Sequence, residues 1–357
     1  MNSFTPVDEL YMQRCLQLAL CGAGSTSPNP MVGAVIVCDG RIIGEGYHVR
    51  AGLPHAEVNA VNSVREKDIP LLSRSTIYVS LEPCSHYGKT PPCCDLIIAR
   101  GIPRVVIATT DFNAQVNGGG IARMRAAGIE VVVGLLEAES RRMNRAFFTF
   151  HTQRRPAVTL KWAQSADGFM DCVRDCGSPV RFSNSVSQVA VHRLRAAHDA
   201  ILVGTRTALL DNPSLDIRCW TGRAPLRLVI DRDGKLPQSL KLFDGSFQTL
   251  RFTSDVKCFS GKNIEQVVLD FSRDIVPQIL DSLYLRGVGS LLVEGGAFLL
   301  NSFIEAGLWD TARVETNGSV RLHTGVPAPC INSAHEVGRE SVGGNEVVYC
   351  ERVPDCR

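Results

Sequence analysis

The run Leu81-Glu82-Pro83-Cys84-Ser85-His86-Tyr87-Gly88-Lys89-Thr90-Pro91-Pro92-Cys93, taken with His55-Ala56-Glu57 upstream, decides how this chain is read. A zinc ion that activates water needs three protein ligands and one open position, and it favours imidazole and thiolate donors. His55 stands where a helical pattern begins, Cys84 just after a strand pattern, and Cys93 where a further helix begins. Cysteines near helix N-termini gain from the positive dipole end, which favours the thiolate a metal requires. His55, Cys84 and Cys93 are therefore the candidate ligands of one Zn2+. Glu57, on the same helical turn as His55, is the candidate catalytic group, able to take a proton from water and deliver it to a ring nitrogen and a leaving amine. A closed structural site would need a fourth ligand. Cys94 and His86 are the nominees, but Cys94 adjoins Cys93 and would face away on a helix.

Working outward, apolar residues at helical spacing over Leu10 to Cys21 give way to Gly22 and Gly24, which end that helix. Met31 to Cys38 is an apolar run followed by Asp39-Gly40 and a second strand pattern, a hairpin through a tight turn. Helix is predicted over His55 to Val64, strand over Thr76 to Leu81, helix over Asp95 to Arg100 and strand over Arg104 to Thr109. A last helix over Ile121 to Ala127, capped by Gly128, precedes the strand Ile129 to Val133. This order implies a mixed sheet with helices on both faces, a three-layer α/β/α domain over 1–147. Five arginines between Arg141 and Pro156 read as a solvated helix end and linker. A second α/β domain over 148–357 then shows strands at Ala157 to Trp162, Ala200 to Val203, Leu226 to Ile230, Val267 to Leu269 and Ser290 to Val293. Its helices are expected at Val186 to Ala197, Ile275 to Leu285 and Phe298 to Ala306.

At 357 residues with 45% hydrophobic content the chain can fill two cores. Its 38 Lys and Arg nearly balance 36 Asp and Glu, and aromatics are only 6%. A nucleic-acid deaminase would want a basic groove with stacking platforms, so a small-molecule substrate is the expected partner, with no nucleic acid. The acidic residues near the start and the lack of any long apolar run lead to the expectation of neither a secretory leader nor a membrane span. Thirteen scattered cysteines suit a reducing cytoplasm.

At the residues quoted above the chain resembles the bifunctional riboflavin-biosynthesis deaminase-reductases. Eight residues separate Cys84 from Cys93, where the general deaminase signature has two. Pro28-Asn29-Pro30-Met31-Val32-Gly33 and Gly46-Tyr47-His48-Val49-Arg50-Ala51-Gly52 are similar to that family in the same order. The resemblance implies a cytidine-deaminase-like first domain. It also implies deamination of 2,5-diamino-6-(5-phosphoribosylamino)pyrimidin-4-one, a phosphoribosyl-pyrimidine. Asn29, His48, His86 and Lys89 are the expected substrate contacts, three of them cations or donors suited to a phosphate and Asn29 to the base or ribose.

In the second half, Lys161-Trp162-Ala163-Gln164-Ser165-Ala166-Asp167-Gly168, Arg193-Leu194-Arg195-Ala196, the run Val203 to Leu215 and Val293-Glu294-Gly295-Gly296 resemble the reductase motifs. The implied fold is dihydrofolate-reductase-like, and the implied reaction is hydride transfer from NADPH to the ribose C1. Arg195, Leu215, Arg218 and Glu294 are the expected substrate contacts. Lys161, Ala163, Thr207, Asp211, Gly295 and Gly296 are the expected cofactor contacts, with the glycine pair at a helix N-terminus where amides can meet a pyrophosphate. Pro179 to Asn184 and Gly318-Ser319-Val320-Arg321-Leu322 depart from the family pattern, and Arg181 is not among the expected contacts. A homo-oligomer is the expected assembly.

Overall fold

The computed structural model describes residues 4–87, 91–111, 118–174, 178–255 and 261–353. The chain divides into two compact units, Met1–Arg154 and Arg155–Arg357.

Unit 1 runs α1 (Pro6–Leu20), β1 (Gly33–Cys38), β2 (Arg41–Tyr47), α2 (Ala56–Asn62), β3 (Thr76–Val79), α3 (Cys93–Ala99), β4 (Arg104–Ile107), α4 (Gly119–Ala126), β5 (Glu130–Val133), α5 (Glu137–Met143) and α6 (Arg145–Gln153). The α1 helix starts at a capping box in which Thr5 and Asp8 satisfy each other's backbone N–H groups. Asp39 and Gly40 both take positive φ, the geometry a two-residue hairpin turn requires, and they join the antiparallel pair β1 and β2. The sheet order is β2-β1-β3-β4-β5, with β3, β4 and β5 parallel. Alternation along β1 sends Val35 and Val37 to the face covered by Met12 and Cys15 of α1. Ala34, Ile36 and Cys38 go to the opposite face, under α2, α3 and α4. The result is a mixed sheet between two helical layers. On β2 the close approach to α2 depends on Gly46, where an added Cβ would sit 2.3 Å from the backbone nitrogen of Ala60.

In the Arg141 to Pro156 stretch Arg141 and Arg142 do form a helix end, the last turn of α5, but the rest is not a linker: it folds as α6, and residue 147 lies inside it. Phe148 is buried there, which gives the second helix an apolar face that the arginine count obscured. Arg155 is itself buried and forms a bidentate pair with Asp310 at 2.7 and 2.8 Å, anchoring the start of unit 2.

Unit 2 comprises β6 (Ala157–Ser165), β7 (Phe169–Asp171), α7 (Ser185–Ala196), β8 (Ala200–Val203), α8 (Thr205–Asp211), β9 (Leu226–Ile230), β10 (Thr249–Thr253), β11 (Ile264–Val268), α9 (Ile275–Leu285), β12 (Ser290–Glu294), α10 (Ala297–Glu305), β13 (Thr311–Asn317), β14 (Val326–Pro327), β15 (Ala334–Val342) and β16 (Asn345–Arg352). Nine strands form one sheet in the order β11-β10-β9-β8-β12-β6-β13-β16-β15. The first seven in that order pair parallel, and the β15-β16 hairpin closes the edge antiparallel. Leu160 and Trp162 of β6 and Leu291 and Val293 of β12 pack on the side of α9 and α10. Lys161 and Glu294 therefore point to the other face. Among the described residues, no helix is long and apolar enough to cross a membrane.

Candidate metal centre and reductase cleft

His55 is the N-cap of α2, Cys93 is the first residue of α3, and Cys84 lies in the loop that follows β3. Their ligand atoms converge to within 4.8 Å of one another. His55 Nδ1 is 3.6 Å from Cys84 Sγ and 3.4 Å from Cys93 Sγ. A tetrahedral zinc with bonds of about 2.3 Å to sulfur and about 2.05 Å to nitrogen sets an S···N separation of about 3.6 Å. The triangle therefore fits the ion. Among the described residues the group has three members, and Cys94 instead packs into the apolar core beneath α3. Three ligands leave the fourth position that water chemistry needs.

The thiols are unequal. Hydrogen bonding from the Cys93 thiol, aided by His55 and by the Cys93 N–H at 3.3 Å, brings the Cys84 thiol down to about 4, against burial. Cys93 is held up by its bond to Cys84 and by burial, so the pair shares one thiolate until a cation stabilises both. Glu57 is almost completely buried, and burial, reinforced by Cys84, pushes its carboxyl up to about 7 while His55 opposes. A carboxyl in that range can both take and return a proton near neutrality.

Asn29 and His48 join this centre. The His48 ring stands edge-on to His55 with centroids 5.3 Å apart. Burial lowers its pKa, favouring the neutral ring. Its Nδ1 lies 3.2 Å from the Pro54 carbonyl, which can only accept, so Nδ1 carries the proton and Nε2 accepts from the Asn29 amide at 3.1 Å. His86 is exposed on the cysteine loop, and Lys89 lies outside the described residues.

Sequence reasoning quoted Glu82 but gave it no task. Among the described residues its buried carboxylate accepts four backbone N–H groups, from Asp111, Gly118, Gly120 and Ile121, at 3.0 to 3.2 Å. It thereby fixes the residue next to Pro83-Cys84 against the start of α4. Gly118-Gly119-Gly120 was the available signal, since Gly120 passes so close that a Cβ would meet the Pro83 carbonyl at 2.2 Å.

In unit 2 a cavity of about 1280 Å³ opens at the C-terminal ends of the parallel strands. Lys161, Ala163, Thr207, Asp211, Arg218, Glu294, Gly295 and Gly296 line it. Glu294, Lys161 and Arg313 are neighbours in register across β12, β6 and β13. Burial pushes the Lys161 ammonium down and Glu294 partly restores it. Despite burial, Arg195 and Lys161 hold the Glu294 carboxyl at about 2, so it is ionised.

Two expected contacts stand outside the lining. Arg195 spends its guanidinium on a bidentate pair with Glu294 at 3.0 and 2.7 Å and on the Asp216 carbonyl. Leu215 is buried in the apolar cluster beneath β8 and β9. On the cofactor side the expected residues also bond within the protein. The Gly296 N–H already donates to Thr207 Oγ1 at 3.0 Å, and Asp211 is paired with Arg174. Arg174, Arg181, Phe182, Arg232 and Arg273 also line the cavity, and none was among the expected contacts. They sit on segments without periodic pattern, which is why they escaped.

A three-ligand zinc triangle with a buried glutamate in one unit, and a cavity at the strand ends of a parallel sheet in the other, define a two-domain enzyme that joins a deaminase to a reductase. Residues 5–109 match the cytidine and deoxycytidylate deaminase zinc-binding region, and residues 156–317 match the RibD C-terminal domain. The riboflavin biosynthesis protein RibD of Aquifex aeolicus is 40% identical over 310 residues, covering 85% of each chain. That of Escherichia coli is 36% identical over 321 residues, again covering 85% of each. The crystal structure of a diaminohydroxyphosphoribosylaminopyrimidine deaminase/5-amino-6-(5-phosphoribosylamino)uracil reductase from Thermotoga maritima superposes with a TM-score of 0.88 at 36% identity. That match covers 97% of this chain and 99% of the other. The chain belongs to the RibD family of riboflavin biosynthesis proteins, bifunctional enzymes with a zinc deaminase domain and an NADPH-dependent reductase domain.

Proposed function

We propose that unit 1 converts 2,5-diamino-6-(5-phosphoribosylamino)pyrimidin-4-one and water to the corresponding uracil and ammonia, and that unit 2 then reduces the ribosyl group of that product to ribityl phosphate. The observation that carries the first half is the placement of Glu57 two residues from the ligand His55, buried and with its carboxyl at about 7. Zinc, held by His55, Cys84 and Cys93, supplies the Lewis acidity that brings water toward ionisation at neutral pH. Glu57 takes one proton from the attacking water and passes it to the ring nitrogen, then takes the second from the hydroxyl added to the ring carbon and passes it to the amine as the C–N bond breaks. Asn29 meets the base or ribose, and its bond to His48 sets the amide's orientation. His86 and Lys89, in the loop between the cysteines, are suited to the phosphate.

In unit 2 NADPH supplies hydride to the ribosyl C1. Lys161 stands on the cavity wall beside ionised Glu294, which Arg195 clamps from behind. This pair positions a proton donor at the opened sugar, where one proton must follow the hydride. Arg218 is a cation at the same wall for the substrate phosphate. Gly295 and Thr207 border the dinucleotide, with Ala163, Asp211 and Gly296 completing its bed. A small-molecule substrate without nucleic acid, a homo-oligomeric assembly and a reducing, NADPH-supplied cytoplasm belong to the same proposal. Supplying the diaminopyrimidine and NADPH together and following ammonia and NADPH in one assay tests it. One ammonia released per NADPH oxidised is expected, whereas zinc-loaded protein that does neither contradicts it.

A further inference from the structure

We propose that Asn345 is a positioning residue of the reductase: from the C-terminal hairpin it grips the Phe182 carbonyl and so sets the wall segment 179–183 of the unit 2 cleft. The inference rests on the reading of this cleft as the reductase site and goes beyond it by giving a task to a residue that does not line the cavity.

Pro179, Val180, Arg181, Phe182 and Ser183 line the cavity as one run. The run belongs to neither helix nor strand, so no ladder of backbone bonds fixes it and its place depends on other partners. Phe182 is nevertheless buried, and its carbonyl accepts two side-chain N–H groups, from Asn317 Nδ2 at 2.9 Å and Asn345 Nδ2 at 2.8 Å. Further ties flank it. The Val180 N–H donates to Asp171 Oδ1 at 3.2 Å, and the Asn184 amide, which caps α7, donates to the Gly343 carbonyl in the turn between β15 and β16. That turn fits closely, since a Cβ at Gly343 would sit 2.4 Å from Asn184 Oδ1. The C-terminal hairpin is thus built against the end of the wall.

Asn345 opens β16 and is buried. Its Nδ2 donates one hydrogen to the Phe182 carbonyl and the other to Glu315 Oε1 at 2.7 Å. Both partners accept, which fixes the orientation of the amide. The other Glu315 oxygen accepts from Arg313 Nη1 at 3.1 Å. Burial would raise the Glu315 carboxyl, but Asn345 and Arg313 prevail and lower it, so the group is ionised. A fully buried carboxylate is costly unless its oxygens are bonded, and here those bonds orient Asn345 and, through it, a backbone atom of the cleft.

The place of this contact gives it a bearing on chemistry. Glu315 lies opposite Ala163, and Asn317 opposite Ser165, on the strand that carries Lys161. Phe182 is therefore tied at the β6 end of the cleft, where hydride and proton meet the sugar, and not at the β9 end. A wall at the reacting end governs orientation more than affinity, and a displacement of about 1 Å there costs on the order of 100-fold in rate. Pro179–Asn184 and Gly318–Leu322 are also the stretches that depart from the family pattern, and Asn317, directly before the second, holds the first.

The test is kinetics of the reductase step, with the deaminated substrate supplied, in full-length Asn345→Ala, Asn317→Ala and Glu315→Gln, alongside denaturant unfolding. Asn345→Ala should lower kcat about 10- to 100-fold while KM for NADPH moves less than about threefold. Asn317→Ala removes the second N–H from the same carbonyl and should lower kcat by less; being half-buried, it carries the test if Asn345→Ala fails to fold. Glu315→Gln keeps an oxygen for Asn345 but takes away the charge that Arg313 faces, so stability should fall while kcat stays within about threefold. Ammonia release from the diaminopyrimidine should match the wild type in all three. An unchanged kcat in Asn345→Ala and Asn317→Ala overturns the inference, as does a loss of kcat in Glu315→Gln equal to that in Asn345→Ala. Wild-type enzyme that oxidises no NADPH contradicts the reductase reading itself.

Discussion

The zinc centre of unit 1 and the cleft of unit 2 gather charge in opposite ways. In unit 1 four functional groups come from three short segments, each at a helix start or strand end. His55, Cys84 and Cys93 converge on a point that a cation fills, and until then one thiolate is shared between two cysteines. In unit 2 the charges neutralise each other within the protein. Arg195 closes on Glu294, Glu294 faces Lys161, and behind them Arg313 bonds Glu315, which Asn345 also supports at 2.7 Å. The first site is incomplete without its ion, and the second is preassembled from residues spread over more than a hundred positions. The difference teaches that the two activities should respond to different insults, although one chain carries both.

Removing a ligand gives the largest contrast. His55→Ala should empty the zinc site, read by elemental analysis. Ammonia release should drop by more than the roughly 10²–10⁴-fold that an acid–base group alone contributes, while NADPH oxidation with supplied deaminated substrate persists. Loss of both activities would show that the units are not chemically separate. Glu294→Gln strikes the other site by leaving Arg195 buried without its partner. Breaking such a pair costs about 3–5 kcal/mol, so the unit 2 unfolding transition should fall while zinc content stays intact. The same contact predicts acid behaviour. Burial would raise the Glu294 carboxyl, but Arg195 and Lys161 prevail and hold it near 2, below its ordinary 4.5. A depressed carboxylate stabilises the fold above its unfolded value, so this contribution is complete above about pH 4.5 and is lost as pH falls toward 2. Denaturant melts of wild type and Glu294→Gln across that window should converge at the acid end. The smallest effect is expected at Gly46. An added methyl in Gly46→Ala forces α2 away from β2, which typically costs about 1–3 kcal/mol, and because His55 caps α2 the change should weaken zinc retention against a chelator.

The same contrast explains what could be read in advance. The unit 1 elements follow short periodic segments, and the ligands sit in motifs whose neighbours in sequence are neighbours in space. Glu82 escaped because its partners are backbone amides some thirty residues away, and a side-chain pattern does not show them. In unit 2 the register of Lys161 between Glu294 and Arg313 depends on three strands that are distant in sequence. The strand Thr249–Thr253 went unread because Arg251 sits at its centre. That arginine is fully buried against Asp231 at 2.7 Å, an ion pair taking the place of an apolar side chain. Arg195 is an expected substrate contact, and its bidentate bond to Glu294 comes from a strand 99 residues away that no local pattern shows.

The most direct test of two separable chemistries on one chain is Glu57→Gln, measured with both substrates in turn. Zinc content should match the wild type. With the diaminopyrimidine and NADPH together, neither ammonia nor NADPH oxidation should appear, because the deaminated intermediate never forms. With that intermediate supplied, NADPH should be consumed at the wild-type rate. Ammonia release by Glu57→Gln at near wild-type rate, or a reductase that fails even when given its own substrate, would contradict the account.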